Sequence, residues 1–358
     1  MTPKERVAAV IGHRAADRVA IDFAARSEVV AALRDRLGAA SDEALLDALG
    51  VDLRGVGPAF KGDTGELCYA DPTVEVTADG VYRDIWGVGF RANRTDKGSY
   101  MDLAANPLVD VEDAKGLDRH AWPTAELWDY SGIAEQVRRA DRYWVGGHSR
   151  GIFEISWFLR GFENFLMDLT AEPQFASQVM DRVQAYLFER TQRILEAGGG
   201  RIDMMEYNDD VGGQQGMLIS PNVWREHLKP RMRRFAELCR GFGARVRYHS
   251  CGSIRPIIGD LIEIGVDVLN PVQPHARNMD PRDLKREFAG RITLNGGIDT
   301  EELLPRASAD QVRDEVGRLI EALGRGGGYI LAPSHVFQGD VPIENVLAVY
   351  EAALGRRF

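Results

Sequence analysis

A chain of 358 residues, 44% hydrophobic and 27% charged, can bury a large core, which excludes a disordered or fibrous protein. Its 44 Lys and Arg against 54 Asp and Glu leave a formal charge of -10, which opposes attraction to a phosphate backbone, so nucleic acid is not an expected partner. No apolar run approaches the ~20 residues that span a bilayer, and the N-terminus MTPKERVAAVIGHR is charged and amphipathic; no membrane association is expected, and the expected location is the cytoplasm.

Along the chain, Pro3 to Arg14 has apolar positions at helical spacing and leads into a short strand candidate, Arg18 to Phe23. Residues 51–123 are rich in Gly, Asp and Pro, with a hairpin signal in Val74 to Val88 turning at Asp79-Gly80. This stretch reads as an insertion or lid within one domain covering 1–358. Beyond residue 140 short β-rich runs alternate with amphipathic helices: Arg142 to Val145, Arg201 to Met205, Ala244 to His249, Val266 to Leu269, Arg291 to Leu294 and Tyr329 to Leu331.

Several helix starts carry caps. Ser220-Pro221 and Asp280-Pro281 place an N-cap before Pro at the first helical position, and Ser308 to Gln311 fits a capping box. Gly198 to Gly200 and Gly326 to Gly328 read as turns that end helices, in preference to phosphate-binding loops. Repeated strand then helix implies a parallel sheet with right-handed crossovers. Seven strands are visible, and an eighth within 50–110 would close a (β/α)8 TIM-type barrel with an N-terminal elaboration; an open doubly wound sheet is the alternative, without a G-x-G-x-x-G to support its dinucleotide form.

In such a barrel, function gathers where the strands end. There the sequence offers His148 and Arg150, then Glu206, Asn208, Asp209 and Asp210, then His249 and Cys251, then Gln273, then Asn295, and finally His335. His249-x-Cys251 is the sharpest pattern, because residues two apart on an extended backbone point the same way and can address one ion. With 7 His and 3 Cys, chance supplies such a pattern on the order of 0.06 times. The alternative is a hydrogen-bonded histidine beside a small buried thiol. His335, at the end of the last strand, could complete a three-ligand zinc site with an open fourth position.

Among the other candidates, Glu206 reads as a fourth ligand, a general base or a partner for substrate, with Asp209 and Asp210 as catalytic carboxylates of which at most one enters the pocket. His148, Arg150, Asn208, Gln273 and Asn295 are candidate substrate contacts. The three cysteines, Cys68, Cys239 and Cys251, are too scattered for a disulfide framework, which leaves a thiol free for metal. His13, His120, His227 and His275 lack a ligand pattern and read as structural or surface residues.

The order of motifs, MTPKERVAAVIGHRAADRVAIDF, NDDVGGQQGMLISPNVWREHLKP, YHSCGSIRPIIGDLIEIGVDVLNPVQP, ITLNGGID and GGGYILAPSHVFQGDVPIENVLAVYEA, resembles the uroporphyrinogen decarboxylase superfamily over nearly the whole chain. Within it the resemblance is to the zinc-containing, corrinoid-dependent methyltransferases. It implies zinc at His249 and Cys251, with a third ligand where that branch has A-P-G-C and this chain has Ala332-Pro333-Ser334-His335. The R-Q-A-G-R stretch of true uroporphyrinogen decarboxylases has no counterpart after Phe23. No D-x-H-x-x-G corrinoid signature is present, Asp118-Arg119-His120 lacking the glycine, so a separate corrinoid protein is the implied partner.

The expectation is therefore a methyltransferase acting on a small O- or N-methylated donor or acceptor, with zinc made electrophilic by two neutral imidazoles. A homodimer is compatible with it. The alternatives are a decarboxylase or lyase using His148, Arg150 and Asp209 or Asp210, and a barrel that binds a metabolite without catalysis.

Overall fold

The computed structural model describes residues 1–62, 67–68, 71–95 and 98–358. Eight parallel strands form a nearly closed barrel: β1 (Ala20–Ile21), β2 (Leu53–Gly55), β3 (Trp144–Arg150), β4 (Met204–Asn208), β5 (Arg245–His249), β6 (Val268–Val272), β7 (Thr293–Ile298) and β8 (Tyr329–Pro333). The order is β1-β8-β7-β6-β5-β4-β3-β2, each strand returning parallel after helical connections. The missing eighth strand is thus Leu53–Gly55, inside the stretch expected to hold it.

The seam between β1 and β2 is closed by Asp52. Its backbone N–H donates to the Ile21 carbonyl at 2.9 Å, and its carboxylate accepts from the Ile21 N–H at 2.9 Å. The same carboxylate, fully buried, accepts from Arg6 Nη1 at 2.6 Å and Arg18 Nη1 at 2.7 Å. Arg6 comes from α1 (Pro3–Ile11), a helix started by a capping box between Thr2 and Glu5. Val7, Val10 and Ile11 of α1 pack with Ala20, Leu53, Trp144, Met204, Val268 and Ile330 to fill the lower end of the barrel. Each large aliphatic side chain so buried contributes about 1.5–3 kcal/mol.

The predicted caps are found at Ser220, Asp280 and Ser308, the last as a capping box with Gln311. Gly199, Gly200 and Gly326 to Gly328 all have positive φ, as turns require. His227 Nε2 donates to the Leu169 carbonyl at 3.1 Å and the ring is buried, a structural role as expected.

Two expectations change. The strands run further toward the barrel mouth than their apolar runs suggest, so Gly146 to Arg150, Glu206 to Asn208 and Asn270 lie inside strands. The insertion also holds more than a lid. Beside β2 it contains an antiparallel sheet of Leu67–Cys68, Asp71–Val76, Val81–Asp84, Gly89–Thr95 and Gly98–Ala105, with the predicted turn at Asp79-Gly80. The side chain of Cys68 lies outside the described residues. Trp86 packs edge-on against Tyr186, and Phe90 against Phe158, so this sheet rests on helices that follow β3. No helix among the described residues is long and apolar enough to cross a membrane.

Removing the Asp52 carboxylate leaves Arg6 buried with a partner missing and opens the seam. Asp52→Ala should lower the unfolding free energy by about 3–5 kcal/mol, read from the denaturation midpoint at unchanged slope. A loss under about 1 kcal/mol, the level of an exposed pair, would refute the seam's role.

Candidate active site and metal centre

Side chains on a strand alternate between two faces, and here the inward stripe changes character with height. Trp144, Met204 and Val268 belong to the apolar lower end. Two residues further along, β3 and β4 present Gly146 and Glu206, and beyond these come His148, Arg150 and Asn208. On β5 the inward residues are Arg247 and His249, on β6 Asn270. Register aligns the upper level: Arg150 faces Asn208, Asn208 faces His249, and His249 faces Asn270 on successive strands. The result is a cavity of about 530 Å³ at the mouth, whose lining includes Arg26, Arg150, Glu154, Asn208, Asp210, His249 and His335. A second chamber of about 420 Å³ shares Asp22, Phe23, Glu206 and Arg247 with it and reaches His148.

Asp210, His249 and Cys251 each offer one ligand atom, all within 4.8 Å of one another. His249 Nε2 lies 3.7 Å from Cys251 Sγ and 3.8 Å from Asp210 Oδ1. Metal bonds of ~2.0–2.3 Å at tetrahedral angles separate ligand atoms by roughly 3.3–3.8 Å, so imidazole, thiol and carboxylate fit a zinc-sized ion. Asp210 therefore joins the cluster where His335 was expected. His335 lines the same cavity without belonging to that close set. Burial, then the nearby His249, lowers the His335 pKa, which keeps its ring neutral and able to ligate.

The orientation of His249 is set by a hydrogen-bond chain across four strands. Asn295 Nδ2 donates to the Ile330 carbonyl at 3.3 Å, which fixes Asn295 Oδ1 as the acceptor for Asn270 Nδ2 at 2.6 Å. Asn270 Oδ1 is then the acceptor for His249 Nδ1–H at 2.6 Å. This assigns the tautomer that leaves the Nε2 lone pair toward Cys251 and Asp210. Cys251 is placed by its own N–H, which donates to Asp210 Oδ1 at 2.8 Å, and by the Gly252 N–H, which donates to Gln273 Oε1 at 2.6 Å. Gly252 has φ +76°, and a Cβ there would meet the Gly213 backbone at 2.6 Å, so only glycine makes this turn. Burial and the charges of Asp210 and Glu154 push the Cys251 thiol well above its ordinary range; a bound cation is what would favour the thiolate.

Several candidates take other roles than expected. Glu206 is ion-paired with Arg247, which also donates to Asp22 at 2.7 Å. Burial alone would raise the Glu206 pKa, but Arg247, His148 and His249 outweigh it and bring it down to about 2. It is a fixed anion and not a proton donor. Asp209 is outside the cavity: its two oxygens accept from the Phe153 and Glu154 N–H groups at 3.2 and 2.8 Å, capping α2 (Ile152–Arg160). Burial raises its pKa to about 7 in spite of these bonds. Of the adjacent pair only Asp210 enters the cavity, as adjacency predicts. Gln273 and Asn295, expected to contact substrate, are instead held within the protein's own hydrogen bonds.

Sequence reasoning passed over Asp22, Arg26, Glu154, Arg247 and Asn270 as site residues. Arg247 carried a usable signal, being a charge two positions before His249 and therefore on the same strand face. Glu154 sits four residues after Arg150, to which it is ion-paired at 2.8 Å. A carboxylate spaced for an arginine at the start of a buried helix was a signal too.

An eight-stranded parallel barrel with this polar mouth defines a TIM-barrel protein whose site sits at the C-terminal strand ends. The chain belongs to the uroporphyrinogen decarboxylase (URO-D) family, whose model matches residues 88–355. A uroporphyrinogen decarboxylase of Thermus thermophilus is 26% identical over 206 residues, 58% of this chain and 53% of the relative. One from Legionella pneumophila is 33% identical over 73 residues, 20% of each chain. The chain thus spans about half the length of the curated relatives it matches first. A methyltransferase from Methanosarcina mazei superposes with a TM-score of 0.67 at 19% identity, covering 99% of both chains, which shows the shared fold.

Asn270→Ala removes the acceptor that fixes the His249 ring. It should weaken zinc binding about 10–100-fold without altering the fold, as loss of a residue that orients a ligand does. Competition with a chromophoric chelator measures this, and unchanged affinity would refute the assignment. Cys251→Ala should abolish stoichiometric zinc, while Cys239→Ala, buried away from the site, should retain it.

Proposed function

We propose that this protein is a zinc-dependent methyltransferase that moves a methyl group between a small O- or N-methylated compound and a corrinoid carried on a separate partner protein. The observation that carries this reading is the convergence of Asp210, His249 and Cys251 at the mouth, with His335 lining the same cavity. It is supported by the name of the Methanosarcina mazei neighbour, a methyltransferase.

Asp210, His249 and Cys251 would hold the ion, with His335 beside them. Zinc so held supplies Lewis acidity to a substrate heteroatom. The protein's own residues do the rest. Asn270 and Asn295 keep the imidazole in one tautomer, and Gln273 keeps the Cys251 turn closed. The Asp22, Arg247 and Glu206 cluster forms a rigid wall shared by both chambers. A divalent ion beside one thiolate and one carboxylate has a formal charge near zero, so the site is less electrophilic than two imidazoles and one thiolate would make it.

Decarboxylation, the activity named for the curated relatives, calls for cations that grip substrate carboxylates. Arg247 is paired with both Asp22 and Glu206, which weakens that reading.

Purified protein incubated with reduced free cobalamin and a panel of methoxyarenes, methylamines and betaines tests the proposal. Loss of the Co(I) spectrum should require zinc and a methylated heteroatom, and no carbon dioxide should be released. Transfer that survives zinc removal would refute the metal's part. Carbon dioxide from a carboxylated substrate, with silence across the panel, would favour the decarboxylase.

A further inference from the structure

Methyl transfer out of an ether leaves an oxygen anion, which a bound metal stabilises and a proton neutralises, so an acid within the cavity would let the product depart as a neutral alcohol or phenol. The three carboxylates that sequence offered are each engaged elsewhere. Glu206 is held ionised by Arg247, Asp209 caps α2 through both oxygens, and Asp210 belongs to the cation cluster.

We propose that Glu154 is the proton donor to the oxygen that leaves a methyl ether bound in this cavity. The inference rests on the methyl-transfer reading and narrows its substrate class to O-methyl compounds.

Glu154 lies in the first turn of α2, directly after β3, and lines the cavity together with Asn208, Asp210, His249 and His335. Its side chain is 13% exposed. Oε2 accepts from Arg150 Nη2 at 2.8 Å, and among the described residues Oε1 accepts no hydrogen bond, leaving one oxygen for a ligand. The charged and titratable groups around it are Arg150 on β3, Asp209 and Asp210 after β4, His249 on β5 and Cys251 beyond it. Burial raises its pKa, Arg150 opposes this, and Asp210 adds to it.

The step balances. A reduced Co(I) corrinoid, the methyl acceptor, supplies the electron pair of the new bond to carbon and is formally oxidised by two electrons. The carbon–oxygen bond breaks with its pair on oxygen, the proton passes from Glu154 to that oxygen, and a neutral alcohol or phenol departs. Arg150, already in place, holds the resulting carboxylate. A quaternary ammonium donor gains nothing from this acid, because its amine leaves neutral.

The test uses full-length, zinc-loaded protein with reduced cobalamin and methoxyarenes whose phenols span a wide range of acidity. Glu154→Gln keeps the shape and the Arg150 contact. It should lower kcat about 10²-fold or more for the least acidic phenols, a typical loss for a missing general acid. KM should be unchanged, and a nitro-substituted methoxyarene, whose phenolate needs no proton, should be spared. Glu154→Asp, which keeps an acid, should recover part of the loss. Independently of turnover, infrared difference spectra at neutral pH should show a carboxylic acid carbonyl band in the zinc-loaded protein that is missing in Glu154→Gln. Equal loss for every leaving group, or absence of that band, overturns the proposal. Wild-type protein silent toward every methyl donor overturns the methyl-transfer reading itself, and this inference with it.

Discussion

The hydrogen-bond chain from His249 through Asn270 and Asn295 to the Ile330 carbonyl is the constraint on which the site depends. An imidazole can ligate through only one nitrogen at a time, and a ring with two equivalent choices would divide its population between them. Each amide in the chain has one orientation because the next group in line accepts or donates in one sense only, and the last group is a backbone carbonyl that cannot rotate. Barrel register is what makes this work. Neighbouring strands bring residues 249 and 270 to one level, and residue 295 falls within reach on the next strand.

The same register explains why the lower half of the barrel is apolar and the upper half polar. α1 plugs one end with Val7, Val10 and Ile11, which excludes water there and confines the chemistry to the other end. Asp52 ties that plug to the seam through Arg6, so the closure of the barrel and the seating of its plug are one interaction. Buried charge of this kind is stable only while every member is matched, and here the carboxylate meets two guanidiniums and a backbone N–H.

Most of the fold was legible in the sequence, and the reason is local: caps at Ser220, Asp280 and Ser308, glycines at helix ends, and short β-rich runs at regular spacing. The strand ends were not legible, because an apolar run marks only the part of a strand that packs on helices. Where β3 continues through Gly146, Gly147 and His148, its inward residues face an open cavity and carry no hydrophobic signal. In the site, His249 and Cys251 could be found because both ligands lie on one short segment. Asp210 was found for a different purpose, since its distance from Cys251 depends on the packing of two loops. Gly212 and Gly252 allow that close approach, and sequence spacing does not report it.

What the sequence least revealed is how thoroughly the cavity's charges are matched. Arg247 stands between Asp22 and Glu206, so this cation, which a string of residues offers as an anchor for an anionic substrate, already has partners. A charged substrate entering such a cavity would have to displace one of these pairs, at the cost of leaving a buried charge unmatched. A small neutral molecule displaces none. The cavity it enters is lined by both Glu154 and the Asp210 and His249 of the candidate cation cluster, and of the carboxyl groups lining that cavity Glu154 is the one whose pKa burial raises. The pairing that lowers the Glu206 pKa and the burial that raises the Glu154 pKa thus move two glutamates of one cavity in opposite directions. That difference follows from the neighbours each residue has and not from residue type, so a list of carboxylates at strand ends does not by itself sort them by protonation.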